Sequence, residues 1–318
     1  MDQKRFKMNY IFTKLTSENQ QDLIPIYSDA FGIEVSLDFL RAKQNTSFTG
    51  FEHVGFIAYD EHNQPAAFYG VYPCMVEYHG KKYLVAQSGD TMTHSSHVGK
   101  GLFTQLAQKT YDYCKENGFH LVFGFPNENS FPGFIKRLGW SHFDDMTPYL
   151  IRIKCIPWIR LKNTFKLPQS LHDKWCNFVL NRLKQGNPFK SSAFSNETPV
   201  VDHSSEFFAY KTYSKNYLVK LNGKNLWLKF DDTFLFIGDF ETSSEAEFKQ
   251  VIKRLKRLAF FLGLPHLRFQ TSSSTEGERL FQKFSLPMQV NYPVGGINFS
   301  GEIPLEKLKF TGADNDTF

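Results

Sequence analysis

The segment from Tyr83 to Asn117 constrains the fold more than any other part of the sequence. Tyr83 to Thr93 is typical of a β-strand, Leu102 to Asn117 has helical spacing, and the loop Val98-Gly99-Lys100-Gly101-Leu102-Phe103 joins the two. The first amides of a helix have no partner within the helix, and the helix dipole adds partial positive charge there. Glycines let the backbone turn tightly and approach a ligand closely. The segment therefore predicts an anion site that a phosphate or pyrophosphate would fill.

Two common phosphate-binding motifs do not fit this loop. A nucleotide P-loop needs a glycine five positions before Gly99 and Ser or Thr after Lys100, where this chain has His94 and Gly101. A dinucleotide-binding fold needs three spaced glycines, and positions 98 and 103 hold Val and Phe. The ligand class is therefore neither a P-loop nucleotide nor a dinucleotide.

The loop resembles the acyl-CoA loop of the GNAT acyltransferase superfamily, whose pattern is Arg/Gln-x-x-Gly-x-Gly/Ala. Val98, Gly101 and Phe103 occupy the three defined positions, so the central glycine is kept and both ends depart from the pattern. The elements that follow have the order of that superfamily: a strand at 121–125, the stretch Asn127-Glu128-Asn129-Ser130, a short helix at 131–138 and the closing pair Gly139-Trp140.

The first 80 residues fit the same order. A strand is predicted from Met8 to Thr13, a helix from Ser17 to Phe31 with Ser17 as N-cap, a helix from Ser36 to Lys43, and paired strands at 53–59 and 65–78. The resemblance thus covers about the first 150 residues. It implies an α/β (α+β) fold with a mixed, twisted sheet flanked by helices.

The second half repeats the later part of that order. After an amphipathic helix at 170–183 and a loop at 185–199, three short strands are followed by a helix from Ser244 to Leu262, capped by Ser243 or Ser244. The second half is completed by a strand at 267–271, a helix at 275–284 and strands at 288–291 and 296–299. We interpret it as a second, degenerate GNAT-like domain without a glycine loop. The predicted organisation is 1–155 acyl-CoA-binding domain, 156–200 helical linker and 201–318 second domain.

Composition adds broad limits. The net charge of +5 does not call for a nucleic-acid partner, and the basic residues Lys249, Lys253, Arg254, Lys256 and Arg257 are interpreted as a solvated helix face. We interpret the 34 Phe residues as core filling. The four cysteines lack metal-ligand spacing, so no metal site is predicted and reduced thiols in the cytoplasm fit best. No signal peptide and no membrane span are expected.

The resemblance implies a set of acetyl-CoA contacts. Backbone amides of the loop would hold the pyrophosphate, backbone atoms of Met92 and Thr93 would pair with the pantetheine arm, and Asn127 or Asn129 would touch the CoA arm. The cofactor-binding residues predicted on this basis are Met92, Thr93, Val98, Gly99, Lys100, Gly101, Leu102, Phe103, Asn127 and Asn129.

The catalytic residues are less well marked. The superfamily's common general acid, a Tyr four positions before the closing glycine, is replaced by Ile135. Asp90 is the first candidate for the base, because Gly89 before it could bulge the strand and turn the carboxylate into the cleft. His94 and Glu128 are further candidates, and the acidic C-terminal tail is a weaker option.

Three functions remain open at this point. The first is an N-acetyltransferase that moves the acetyl group of acetyl-CoA to a primary amine, with an amino-sugar nucleotide as first acceptor, because the chain is similar to GNAT proteins of bacterial surface-polysaccharide pathways. The second is a Fem-type aminoacyl transferase that uses aminoacyl-tRNA. The third is a catalytically inactive protein that binds CoA or another ligand.

Overall fold

The computed structural model describes residues 9–242, 244–290 and 292–318. It divides into two compact units, each discontinuous along the chain. The first unit comprises residues 9–75, 83–141 and 295–303, and the second comprises Val76–Lys82, His142–Val294 and Pro304–Phe318. The boundaries at residues 155 and 200 expected from the sequence remain predictions.

The helices and strands up to residue 138 follow the predicted order closely. They are β1 Ile11–Lys14, α1 Leu23–Phe31, α2 Leu37–Gln44, β2 Gly55–Tyr59, β3 Pro65–Tyr78, β4 Lys81–Thr93, α3 Leu102–Glu116, β5 Leu121–Gly124 and α4 Phe131–Leu138. The remaining elements are β6 Ser141–Arg152, α5 Trp158–Phe165, α6 Gln169–Arg182, β7 Val200–Val201, α7 Ser205–Tyr210, β8 Tyr217–Leu221, β9 Lys224–Phe230, β10 Phe234–Phe240, α8 Glu245–Leu262, β11 His266–Thr271, α9 Glu276–Phe281 and β12 Tyr292–Asn298.

Both units have a mixed sheet of the same design. In the first unit the order is β1-β2-β3-β4-β5-β12, with β4 and β5 parallel and β12 antiparallel to β5. In the second unit the order is β8-β9-β10-β11-β6, with β10 and β11 parallel and β6 antiparallel to β11. A long helix, α3 or α8, connects the two parallel strands, as a parallel pair requires.

The last strand of each sheet comes from the other half of the sequence. From His142 onward β6 belongs to the second unit, and from Gly295 onward β12 belongs to the first. The short helices α4 and α9 are therefore each followed by a strand that completes the sheet of the other unit.

The phenylalanines divide between core and surface. Those of β10, α8, β11 and α9 fill the core of the second unit, where Phe240, Phe248, Phe269 and Phe281 are almost completely buried. Five others expose about half of their surface or more: Phe31, Phe165, Phe178, Phe260 and Phe261. Core filling thus explains only part of the high Phe content. Among the described residues, no helix is long and apolar enough to span a membrane.

The helix predicted from Ser17 begins later, and Ser17 is not its cap. The side chain of Asn19 accepts a hydrogen bond from the Thr16 amide (2.8 Å) and donates one to the Lys14 carbonyl (3.0 Å), which holds residues 16–19 in a turn. A short 3-10 turn at Gln20–Asp22 then leads into α1.

Other predictions differ in the second half. Helices α5 and α7 were not predicted, and α9 ends at Phe281 rather than at residue 284. The cap of α8 is Ser244, while the alternative cap Ser243 lies outside the described residues. Met8 and Asn291, at the ends of two predicted strands, also lie outside them; Met288 to Val290 are described and are not in a strand.

Candidate active site

The two parallel strands of the first unit separate soon after they meet. Their ladder consists of the pairs Ala86–Val122 and Gln87–Phe123. Strand β5 ends at Gly124, whereas β4 continues to Thr93. The end of β4 therefore extends beyond its parallel neighbour, which leaves room for an extended ligand arm to pair with it.

The loop between β4 and α3 has the backbone that its glycines predict. Gly99 and Gly101 have φ angles of +79° and +77°, in the left-handed region that other residues rarely adopt. No atom lies within 4 Å of the position that a Cβ would take on Gly99, so the backbone angle, rather than crowding, requires glycine there.

The N-terminus of α3 is open to an anion. Its N-cap Gly101 has no side chain to accept a hydrogen bond, and the first turn contains no acidic residue. The first helical bond runs from the Gln105 amide to the Gly101 carbonyl (3.3 Å), so the amides of Leu102, Phe103 and Thr104 precede it. These amides and the helix dipole make this end of α3 favourable for negative charge.

Several predicted contact residues can offer only backbone atoms. The side chains of Met92 and Leu102 are almost fully buried in the core. Phe103 packs edge to face on Phe134, with ring centroids 5.2 Å apart. Val98 and Lys100, in contrast, are exposed and have side chains on the surface.

Asn127 has a structural task at the start of α4. Its side-chain oxygen accepts hydrogen bonds from the amides of Asn129 and Ser130, both at 3.0 Å, and so fixes the turn that leads into the helix. Asn129 and Glu128 are exposed within this turn. The choice between Asn127 and Asn129 as a CoA contact remains open.

Asp90 lies at an irregularity in the backbone of β4. Its φ angle is +49°, and its side chain is buried. One carboxylate oxygen is 2.7 Å from the Lys43 ammonium, which is buried as well, and the other accepts a hydrogen bond from the Tyr72 hydroxyl. The first-choice base is therefore held in one orientation by two donors. No sequence pattern identified Lys43 or Tyr72 as its partners.

His94 lies at the end of the same strand and contacts α1. Its ring is 3.5 Å from the Asp29 carboxylate, which also accepts hydrogen bonds from the amide (2.5 Å) and hydroxyl (2.9 Å) of Ser95. These hydrogen bonds from Ser95 are the main reason that the pKa of Asp29 is lowered. His94 therefore has a charged neighbour that orients it.

A buried chain of hydroxyl groups crosses the first unit near the point where β4 and β5 separate. The Trp140 indole donates to the Tyr111 hydroxyl (2.8 Å), which is 2.8 Å from the Tyr69 hydroxyl, which is 2.7 Å from that of Ser88. Burial raises the pKa of both tyrosines, so they stay protonated. The sequence analysis missed this network, because its members are far apart in the chain.

The corresponding helix of the second unit has the opposite character at its N-terminus. Ser244 accepts a hydrogen bond from the Glu247 amide, and the Glu247 carboxylate accepts one from the Ser244 amide (3.1 Å). Glu245 adds a second negative charge in the first turn. The capping side chains thus form hydrogen bonds with backbone amides at the N-terminus of α8. The two carboxylates of the first turn would repel a pyrophosphate.

The comparisons with known proteins agree with this geometry. Residues 12–143, which are less than half of the chain, match the model of the Acetyltransferase (GNAT) domain. None of the curated proteins matches the chain.

Solved structures with the same fold cover nearly the whole chain. A probable N-acyltransferase from Enterococcus faecalis V583 is similar at 11% identity and a TM-score of 0.61, over 94% of this chain and 75% of that one. A GCN5-related N-acetyltransferase from Kribbella flavida is similar at 8% identity and a TM-score of 0.58, over 92% of this chain and 72% of that one. The N-myristoyltransferase of Saccharomyces cerevisiae, with bound myristoyl-CoA, is similar at 10% identity and a TM-score of 0.55, over 91% of this chain and 82% of that one. These identities are low, so the likeness shows the mixed α/β fold of GNAT-like proteins and the fold alone.

Proposed function

We propose that this protein is an acyl-CoA-dependent N-acyltransferase that moves the acetyl group of acetyl-CoA to a primary amine. The observation that carries the proposal is the uncapped N-terminus of α3 behind Gly99 and Gly101, next to a strand that extends beyond its parallel neighbour. It lies within the residues that match the GNAT domain. The amides of residues 99–104 would bind the pyrophosphate, and the backbone of Met92 and Thr93 would pair with the pantetheine arm.

The reaction needs a group that accepts a proton. As the amine nitrogen bonds to the thioester carbonyl carbon, the amine loses a proton to the base. The bond from carbon to sulfur then breaks and releases CoA as a thiolate, which takes up a proton from water. We propose Asp90 as the acceptor, because Lys43 and Tyr72 fix its carboxylate where the backbone of β4 departs from regular strand geometry. Glu128 and His94 are the alternative candidates for the base, and measuring the turnover of their variants compares them with Asp90.

Replacing Asp90 is expected to reduce turnover but not acetyl-CoA binding. Asp90→Asn alone leaves the Lys43 charge buried and uncompensated, which costs about 3–5 kcal/mol. The double variant Lys43→Met/Asp90→Asn removes both charges and keeps the fold. We expect both variants to lower kcat by about 100-fold to 10,000-fold, measured as thiol release, with the Kd for acetyl-CoA unchanged.

Full turnover of the double variant would exclude Asp90 as the base. Glu128→Gln and His94→Asn, measured in the same assay, would then show which alternative carries the role. Both side chains are at least partly exposed, so neither change threatens the fold.

The acceptor that we propose to test first is an amino-sugar nucleotide of the kind used in surface-polysaccharide synthesis. Its support is the sequence resemblance to acetyltransferases of such pathways. A panel of amino-sugar nucleotides, diamines and peptides with free N-termini would identify the acceptor class by acetyl-CoA consumption. Acetyl-CoA binding without turnover on any amine would favour a ligand-binding protein, and salt-sensitive binding of aminoacyl-tRNA would favour a Fem-type transferase.

A further inference from the structure

The second unit carries an exposed apolar surface formed by the residue Ile156 before α5, by α6 and by the end of α8. We define it as the aromatic patch, formed by Ile156, Leu171, Trp175, Phe178, Phe260 and Phe261, each at least 48% exposed. All but Phe178 line a groove of about 720 Å³. Phe178 stacks on Trp175, with ring centroids 6.3 Å apart.

The patch is held in place by hydrogen bonds to the backbone. The Trp175 indole donates to the Phe261 carbonyl (3.2 Å), and the His172 ring is 2.8 Å from the Leu262 carbonyl. The backbone amide of Trp158 donates to the Gly263 carbonyl (3.1 Å). The indole ring of Trp158 stacks on the ring of His172. The apolar side chains are thus presented on packed helices, so their exposure is a property of the fold.

The two segments that carry the patch are rich in positive charge. Residues 152–184 and 249–262 contain 13 of the 37 Lys and Arg residues of the chain and only one of its 32 Asp and Glu residues. The rest of the chain has 24 basic and 31 acidic residues and is net negative. The charge of +5 for the whole chain therefore combines two strongly basic segments with a remainder that is net negative.

One exposed face of α8 contains both basic residues and a phenylalanine of the patch. Lys253, Arg257 and Phe261 follow at four-residue spacing along one side of the helix, and all are exposed. Residues four apart lie above one another on a helix. Arg182 lies over the Phe178 ring at 4.8 Å, which brings another cation to the edge of the patch.

We propose that this face docks on the surface of a membrane that contains anionic phospholipids. Basic side chains would pair with the headgroups, while Trp175 and the Phe260–Phe261 pair would enter the interface, as in membrane-bound amphipathic helices. The basic residues would also attract a nucleic acid, and the exposed rings could stack on its bases. We favour the membrane because the aliphatic side chains of Ile156 and Leu171 and the apolar groove suit hydrocarbon better than bases. The apolar groove and the basic side chains of α8 together match a lipid surface best.

The test is sedimentation of the full chain with vesicles of phosphatidylcholine, with and without phosphatidylglycerol. We expect binding only to the anionic vesicles, weakened by salt, together with a blue shift of Trp fluorescence that Trp175→Phe abolishes. Each basic residue near such a surface contributes about fivefold in affinity. The variant Lys253→Gln/Arg254→Gln/Lys256→Gln/Arg257→Gln should therefore bind at least about 100-fold more weakly.

Two further variants make the test specific. Phe260→Ser/Phe261→Ser keeps every charge and should weaken binding at least about tenfold. The matched control Lys81→Gln/Lys115→Gln/Lys215→Gln/Lys307→Gln removes the same number of exposed cations elsewhere and should bind within about threefold of the unmodified chain.

Several results would overturn the proposal. These are absence of binding to anionic vesicles, equal loss in the control variant, or binding without a change in Trp175 fluorescence. A dimer in sedimentation equilibrium that Phe260→Ser/Phe261→Ser dissociates would assign the patch to a second copy of the chain instead. Displacement from vesicles by a neutral single-stranded oligonucleotide analogue would assign it to nucleic acid.

Discussion

The variant Gly101→Glu is expected to bind acetyl-CoA at least about 100-fold more weakly than the unmodified chain, a loss of about 2.7 kcal/mol. The φ angle of +77° is unfavourable for any residue with a Cβ by roughly 1–2 kcal/mol. The added carboxylate would also lie beside the amides that we assign to the pyrophosphate, where it repels the ligand and competes for their hydrogen bonds. Calorimetric titration with acetyl-CoA measures the effect.

The matched control for this prediction is at the other end of the same helix. Gly118 has the same φ angle of +77°, and a Cβ there would meet open space. Gly118→Glu therefore introduces the same charge and the same backbone strain away from the proposed site. It should leave the Kd unchanged, and an equal loss in both variants would show that strain in α3, rather than a site at Gly101, explains the result.

The largest expected effect on stability is at a buried charge cluster in the second unit. His203 lies between Asp314 (2.8 Å) and Asp239 (3.3 Å), and all three side chains are almost completely buried. Asp239 also accepts a hydrogen bond from the Ser192 amide (3.1 Å). His203→Phe would leave two buried carboxylates without their cation and should reduce the free energy of unfolding by about 3–5 kcal/mol.

An exposed pair in the same unit provides the control. His142 is 3.0 Å from Asp145, but both side chains are well exposed. Because solvent screens such pairs, His142→Phe should cost no more than about 1 kcal/mol. Denaturant unfolding of the two variants compares the same kind of pair in two environments. Equal losses would contradict the role assigned to burial.

The cluster also predicts how stability depends on pH. Burial alone would lower the pKa of His203, but Asp314 and Asp239 raise it above its ordinary value. A raised pKa means that the stabilisation is complete below about pH 6.5, the ordinary value, and is lost as the pH rises through the folded-state pKa. Burial raises the pKa of Asp239, which acts in the same direction. The free energy of unfolding of the unmodified chain, measured by denaturant unfolding, should therefore fall as the pH rises above about 6.5.

The sequence predicted well those features that depend on neighbouring residues. The glycine loop, α3 and the short helix α4 follow local rules of turns, caps and periodicity, and each lies where it was expected. The predicted start of α1 failed because Asn19 folds back on the chain, and such side-chain capping competes with the helical pattern.

The features that the sequence could not predict depend on residues far apart in the chain. Lys43 and Asp90 are 47 positions apart, and His203 and Asp314 are 111 apart. The exchange of β6 and β12 between the units has the same cause, because a strand pattern identifies the strand but not its neighbour. The acidic C-terminal tail is likewise ordered in the second unit, where the Ser214 hydroxyl donates to the Phe318 carbonyl (2.6 Å) and the Phe318 ring packs on Trp227.

The central claim is that one acyl-CoA site lies at the N-terminus of α3, and the stoichiometry of binding tests it most directly. Calorimetric titration of the full chain with acetyl-CoA should give one equivalent bound, because α3 is uncapped whereas α8 is closed by Ser244 and Glu247. No binding would contradict the assignment of the glycine loop to CoA. Two equivalents would contradict the conclusion that the second unit has lost its site.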